Sequence, residues 1–301
     1  MPFHWSPDNS ADARLPAGLY VVGTPIGNLG DITLRALETL RSVDLVAAED
    51  TRRTGRLLSH YGIRNKLISC HEHNEEQRAA GLVERVRGGA AVALVTDAGM
   101  PSVSDPGYAL VVQTVAAGLP VVPVPGVSAV TTALSVAALP TDSFLFAGFP
   151  PRRTSRRRRF LADLSPEKRT LVFFESPRRI AALLADVHRV LGDRRAVLAR
   201  EMTKQYEEFL RGTVSELLRM LDERPAVRGE LTLLVASGGG DDTPDDDALD
   251  REIRAALVRG LPVSEVSRRV SDRCGVSRKR VYRRALALAR EKRAPDGNSA
   301  P

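Results

Sequence analysis

The chain has 301 residues, 43% hydrophobic and 27% charged, a globular balance long enough for two domains and an extra piece. No apolar run approaches the ~20 residues of a membrane span, and two distant cysteines, Cys70 and Cys274, exclude a disulfide framework and point to a reducing cytoplasm. The net charge of +7 is unevenly placed: residues 251–293 carry 14 basic and 4 acidic side chains, which leaves the remainder slightly acidic and suggests a basic attachment for a polyanion.

Residues 1–17 read as a disordered lead without a signal-peptide pattern. Leu19 to Val22 is a short apolar strand that ends in Gly23-Thr-Pro-Ile-Gly-Asn-Leu-Gly30, after which Asp31 is placed to cap a helix over 32–40. Val43 to Ala48 predicts a second strand ending in Glu49-Asp50-Thr51-Arg52, followed by a helix that Gly62 stops. A third strand, 67–70, ends in His71-Glu-His-Asn74 and leads to a helix over about 75–87. The fourth, Val92 to Val95, breaks at Asp97-Ala-Gly-Met-Pro101. There Asp105 is expected as N-cap and Pro106 as first residue of the next helix. The fifth, Val121 to Val124, ends in Pro125-Gly-Val-Ser-Ala129 and opens a helix to Ala138.

Five strand–helix units in a row predict a mostly parallel three-layer α/β domain over 18–139. Every polar or Gly/Pro loop follows a strand, so all gather at one sheet end, where such folds bind ligands. A hinge is expected at Leu139-Pro-Thr141. A mixed α+β domain, 140–237, follows, with strands over 144–149, 171–175, 196–200, 207–211 and 230–236 and helices to Leu191 and over 214–221. Pro150-Pro151 opens what reads as a loop with six arginines in eight residues. An acidic linker, 238–247, precedes a basic helical domain, 248–293, whose helices over 263–274 and 277–290 are spaced as a helix-turn-helix.

There is no G-x-x-x-x-G-K-[ST], no G-x-G-x-x-G after the first strand and no G-x-S-x-G, which excludes the common nucleotide-hydrolase, dinucleotide and serine-hydrolase patterns. His71 and His73 offer two imidazoles but no third or fourth partner, so no metal is assigned. Glu49, Asp50 and Asp97 could form a carboxylate cluster for general-base work or a cation, or could cap helices and pair with Arg52 and Arg53. The run from Arg152 to Arg159 is either a solvated face or a phosphate-binding one. The C-terminal excess, with Tyr282 interleaved and Arg278, Lys279 and Arg280 opening the last helix, favours nucleic acid.

The loops together resemble a known family. Val22-Gly-Thr-Pro-Ile-Gly-Asn-Leu-Gly-Asp-Ile-Thr-Leu-Arg-Ala36, Ala47-Ala-Glu-Asp-Thr-Arg52, Thr96-Asp-Ala-Gly-Met-Pro-Ser-Val-Ser-Asp-Pro-Gly107 and Pro123-Val-Pro-Gly-Val-Ser-Ala129 are similar to the ribosomal RNA small subunit methyltransferase I group of the tetrapyrrole methylase superfamily. Gly148-Phe-Pro-Pro151, Phe173-Phe-Glu-Ser-Pro-Arg178 and Ala199-Arg-Glu-Met-Thr-Lys204 continue the match in family order.

The resemblance implies two unequal α/β domains of the class III methyltransferase type, a homodimer, and S-adenosyl-L-methionine in the cleft. The implied reaction is 2′-O-methylation of a cytidine ribose in the decoding region of 16S rRNA, within the 30S subunit. It implies cofactor contacts at Pro25, Asp97, Gly99, Met100, Ser128, Ala129, Phe174 and Met202. Met100 stands where Thr is expected, and Arg152 where Lys is expected. Among side chains that could move the hydroxyl proton, Glu49 and Asp50 come first, with Lys204 or Arg152 as electrostatic helpers, and Arg152, Arg153, Arg156 and Arg157 join the C-terminal cations as expected RNA contacts. The alternative is a precorrin-type small-molecule methyltransferase on the same fold, which has no use for a basic tail.

Overall fold

The computed structural model describes residues 15–224, 226–237, 246–274 and 276–291. The first sheet is parallel in the order β3-β2-β4-β1-β5: β1 (Gly18–Val22), β2 (Leu45–Ala48), β3 (Leu67–Ser69), β4 (Ala91–Val95) and β5 (Val121–Val124). All of β2 and β4 is buried, because helices cover both faces, and this is why these strands read as unbroken apolar runs rather than alternating ones. Helices α1 (Leu34–Ser42) and α2 (Thr51–His60) pack on one face through Leu37, Leu40 and Leu58. Helices α3 (Glu75–Arg87) and α4 (Tyr108–Ala116) pack on the other through Leu82, Val86 and Leu110.

Helix α5 (Ala129–Val136) leaves this body. Its Val130, Ala133 and Leu134 are buried against Val172, Val197 and Leu234 of the second sheet. Leu139, expected in a hinge, is buried in the same cluster, so the chain changes domain earlier, across the turn 125–128. The second sheet has the order β6-β7-β10-β8-β9: β6 (Phe144–Phe146), β7 (Thr170–Glu175), β8 (Arg195–Arg200), β9 (Glu208–Thr213) and β10 (Leu231–Val235). Only β6 and β7 run parallel; the other pairs are antiparallel. Its far face is covered by α6 (Thr154–Asp163), α7 (Ile180–Leu191) and α8 (Val214–Asp222).

Three local expectations are corrected. The cap of α1 is Thr33, whose hydroxyl accepts from the Ala36 amide at 3.1 Å, while Asp31 ends a single 3-10 turn. The arginine run is helical from Thr154, because Leu161 anchors it in the core and Arg157 in an ion pair with α7. Asp105 caps nothing: α4 begins at Tyr108 with Gly107 as N-cap, and the orphan amides of Gly107 and Ala109 donate to Glu75 of α3 at 2.6 and 3.0 Å.

Helices α9 (Asp246–Val258), α10 (Val263–Cys274) and α11 (Arg278–Glu291) bury a core of their own around Ile253, Val266, Val270 and Val281. Arg284 grips Asp250 with two contacts at 2.6 and 2.7 Å, tying α11 to α9. Most of the expected lead and acidic linker, the Gly275 turn residue and the C-terminal end lie outside the described residues.

Candidate functional site

The loops after β1, β4 and β5 are stitched together. Thr24 and Gly99 exchange both amide–carbonyl bonds, at 2.9 and 3.0 Å, and the Thr24 hydroxyl donates to the Thr96 carbonyl at 3.0 Å. Gly23 and Gly126 pass so closely that a Cβ on Gly23 would lie 2.7 Å from the Gly126 Cα and from the Met100 sulfur. The absence of a side chain at Gly23 thus makes room for Met100.

Below this junction lies a cavity of about 410 Å³ between the two sheets, an ordinary size for a cofactor or small-ligand pocket. Its lining includes seven of the eight residues expected to hold a cofactor: Asp97, Gly99, Met100, Ser128, Ala129, Phe174 and Met202. Pro25 lines an adjoining hollow instead, which shares Arg53 and Asp97 with the main cavity. Backbone strain concentrates here. Among the described residues, five other than glycine have φ in the left-handed region, and Ser102, Ser104, Glu201 and Thr203 are four of them, flanking the cavity residues Val103 and Met202.

Of the four side chains named for the proton step, Glu49, Asp50, Lys204 and Arg152, only Glu49 lines the cavity. It accepts from the Asp97 amide at 3.1 Å, and burial, with the Asp97 charge, raises its pKa despite that bond and Arg53. Asp50 turns to Arg52, whose guanidinium and amide it accepts, and this holds its pKa near 2. Lys204 lies over Gly27 and pairs with Glu201 at 2.8 Å and Glu230 at 3.2 Å. Burial works against its charge, but those carboxylates hold its pKa above the ordinary value. It is a brace rather than a group aimed into the cavity.

Asp105, expected as a helix cap, lines the cavity instead. Burial first, then the charges of Glu49 and Asp97, push its carboxyl up to about 7. Nothing local in Ser104-Asp-Pro-Gly107 distinguishes a cavity aspartate from a capping one; the signal was Glu75, which takes the capping role from another helix.

The arginine run divides. The Arg157 side chain is 5% exposed and bonds Asp186 through Nε at 2.7 Å and a terminal nitrogen at 2.6 Å, so it is an internal fastener and not an RNA contact. Arg158 also takes Asp186. Arg152, Arg153 and Arg156 are exposed, as are Arg278, Lys279 and Arg280 on the first turn of α11. His71 accepts or donates to Asn74 at 3.2 Å, and no group of three His, Cys, Asp or Glu among the described residues could hold a metal.

Apolar Met100, Met202, Phe174 and Leu231 together with the carboxylates Glu49, Asp97 and Asp105 make a lining suited to a nucleoside that carries positive charge. Residues 18–218 match the family model of tetrapyrrole (corrin/porphyrin) methylases, and residues 243–289 match that of the RsmI C-terminal HTH domain. A Micromonospora olivasterospora protein named ribosomal RNA small subunit methyltransferase I is 47% identical over 96% of this chain and 92% of its own length. One of the same name from Escherichia coli O157:H7 is 44% identical over 95% and 99%. Among solved structures, cobalt precorrin-4 methyltransferase superposes with a TM-score of 0.53 at 21% identity, covering 72% of this chain and 94% of that one. Diphthine synthase superposes at 0.56 and 18%, covering 72% and 89%.

Proposed function

Since the chain belongs to the tetrapyrrole methylase family, and within it to the ribosomal RNA small subunit methyltransferase I group, we propose that this methyltransferase moves the methyl group of S-adenosyl-L-methionine to the ribose 2′-hydroxyl of a cytidine in the decoding region of 16S rRNA. The observation that carries the donor assignment is the cavity between the sheets, with its mixed apolar and anionic lining. S-adenosyl-L-methionine supplies an activated methyl on a sulfonium. Phe174, Met202 and Leu231 give an adenine an apolar surround, and Asp97 and Glu49 place negative charge beside the cationic end. Ser128 and Ala129 fix the floor where the domains meet.

Methyl transfer to a weakly acidic hydroxyl draws most of its rate from in-line placement, and a base assists as the proton leaves. Asp105, with its carboxyl pushed up to about 7, is suited to accept it near neutral pH, and Glu49 is the other cavity carboxylate whose surroundings raise its affinity for a proton. Exposed Arg152, Arg153 and Arg156 and the first turn of α11 supply cations for the RNA backbone. The exposed stripe Tyr108, Val112 and Val115, spaced four and three residues apart on α4, supports a homodimer. Among the described residues no helix is long and apolar enough to cross a membrane, and a cytoplasmic enzyme acting on the 30S subunit is the setting we propose.

The test is transfer of labelled methyl to undermodified 30S subunits, to free 16S rRNA and to a precorrin-type substrate. Label in RNA that survives alkali as a resistant dinucleotide supports the assignment, because a methylated 2′-oxygen cannot cyclise onto phosphate. Label in the tetrapyrrole alone overturns it.

A further inference from the structure

Phe149 is 57% exposed and yet lines the cavity. A large aromatic side chain in that position is not explained by the core. It is held from behind: its ring lies 5.5 Å from that of Phe174, which in turn meets Phe146 at 4.9 Å. Its backbone is held too. Gly148 turns with φ of 63°, its carbonyl accepts from the Phe174 amide at 3.0 Å, and the rigid pair Pro150-Pro151 follows. The 102–105 loop abuts this turn, with the Ser104 hydroxyl 3.4 Å from where a Cβ on Gly148 would stand. That loop brings Val103, also exposed and also on the cavity wall. The mouth therefore has an apolar edge built from both domains, and exposed Arg152 and Arg153 follow within four residues.

We propose that Phe149 is the platform on which the base of the target nucleotide stacks while its ribose enters the cavity, with Arg152 and Arg153 on the neighbouring phosphates. The proposal rests on the RNA methyltransferase assignment. A 2′-hydroxyl inside folded RNA cannot approach a donor held in a cavity between two domains unless the nucleotide leaves its stack. An aromatic face at the entrance replaces the stacking that is lost. Charge and shape agree: a π surface beside guanidinium groups matches the flat base and anionic backbone of a single extruded nucleotide. The expected cofactor positions have their own aromatic ring in half-buried Phe174, so exposed Phe149 is a second aromatic surface, on the solvent side.

The test uses full-length protein and 30S subunits. Phe149→Ala lowers kcat/KM for RNA methylation by about ten- to a hundredfold, the span that loss of one base–aromatic stack corresponds to. Affinity for S-adenosyl-L-methionine, measured by calorimetry, stays within about twofold and certifies the fold. Phe149→Trp or Phe149→Tyr restores the rate, and Phe149→Leu does not. On subunits reconstituted with an abasic ribose at the target, wild type falls by a similar factor and Phe149→Ala falls no further. A parallel loss of cofactor affinity, full activity in Phe149→Leu, or multiplying losses on the abasic substrate would each overturn the proposal. If wild type labels RNA and Phe149→Ala labels it equally well, the platform is wrong and the function stands. If wild type labels no RNA, both fall.

Discussion

Glu49 and Asp97 interlock through main chain and side chain. The Glu49 carboxylate accepts from the Asp97 amide at 3.1 Å, while the Asp97 carboxylate accepts from the amide of Asp50, the next residue after Glu49, at 3.2 Å. The ends of two adjacent strands are thus locked, and Arg53 at 3.2 Å from Asp97 screens two acids held close together. Glu49→Gln keeps an oxygen for the Asp97 amide and removes the charge. It is expected to fold normally, with methylation slowed by about a hundredfold. Glu49→Ala loses both and unfolds more easily by roughly 1–3 kcal/mol, as expected for a partly buried amide left without its acceptor. Single-turnover rates and denaturant curves separate the two effects.

Asp105 sets an expected pH dependence. With its carboxyl at about 7, it carries a proton in mildly acid solution and is free to accept one above neutrality. Wild-type kcat/KM is expected to rise through pH 7, and Asp105→Asn to be slower with a flatter profile. Stability runs the other way. A carboxyl whose pKa is raised on folding binds its proton more tightly in the native state, so its contribution favours folding at low pH and is lost as pH climbs towards 7. Asp105→Asn is therefore expected to be more stable than wild type at pH 8, by on the order of 1–2 kcal/mol given partial exposure. Thermal unfolding at pH 5 and pH 8 measures it.

Two arginines five residues apart have opposite duties. Arg157→Ala leaves the buried Asp186 carboxylate with Arg158 as its remaining cation and is expected to cost about 1–3 kcal/mol of stability. Arg152→Ala is expected to leave stability within about 0.5 kcal/mol, to weaken RNA binding and to reduce the slope of log affinity against log salt by about one. Urea unfolding and filter binding across a salt series read these outcomes.

Glu75 holds the start of α4 from a neighbouring helix. Glu75→Ala is expected to cost about 1–2 kcal/mol, in the range of a lost helix cap. Because the strained loop that carries Val103 and Asp105 ends at Gly107, the same change is expected to lower kcat more than it raises the KM for cofactor. Initial-rate kinetics at varied cofactor concentration checks this.

The parallel sheet was legible because its strands are buried on both faces, and runs such as Val92 to Val95 have no other reading once turn residues bound them. The loops with unusual backbone do gather at one end of the sheet, and seven of the residues expected to hold a cofactor line one cavity there. What stayed hidden depended on contacts distant in sequence. Arg157 looks like its neighbours until Asp186, 29 residues on, is brought beside it. Asp105 reads as a cap until Glu75 takes that place. α5 follows a strand of the first sheet, yet its apolar stripe packs on the second. Local spacing carries no information about which of two sheets will receive a helix.

The chain passes between the two large domains once, through the turn that joins β5 to α5. That turn is also where Gly126 rests against Gly23 with no room for a side chain. Mechanically, the pair is a jaw with one fulcrum. Ser128 and Ala129 sit at the fulcrum, where a change of opening angle displaces atoms least, whereas Val103 and Phe149 belong to opposite jaws. A change of angle at that turn would part Val103 from Phe149 most and shift Ser128 and Ala129 least, so the width of the entrance is the dimension of the cavity most sensitive to how the two domains meet.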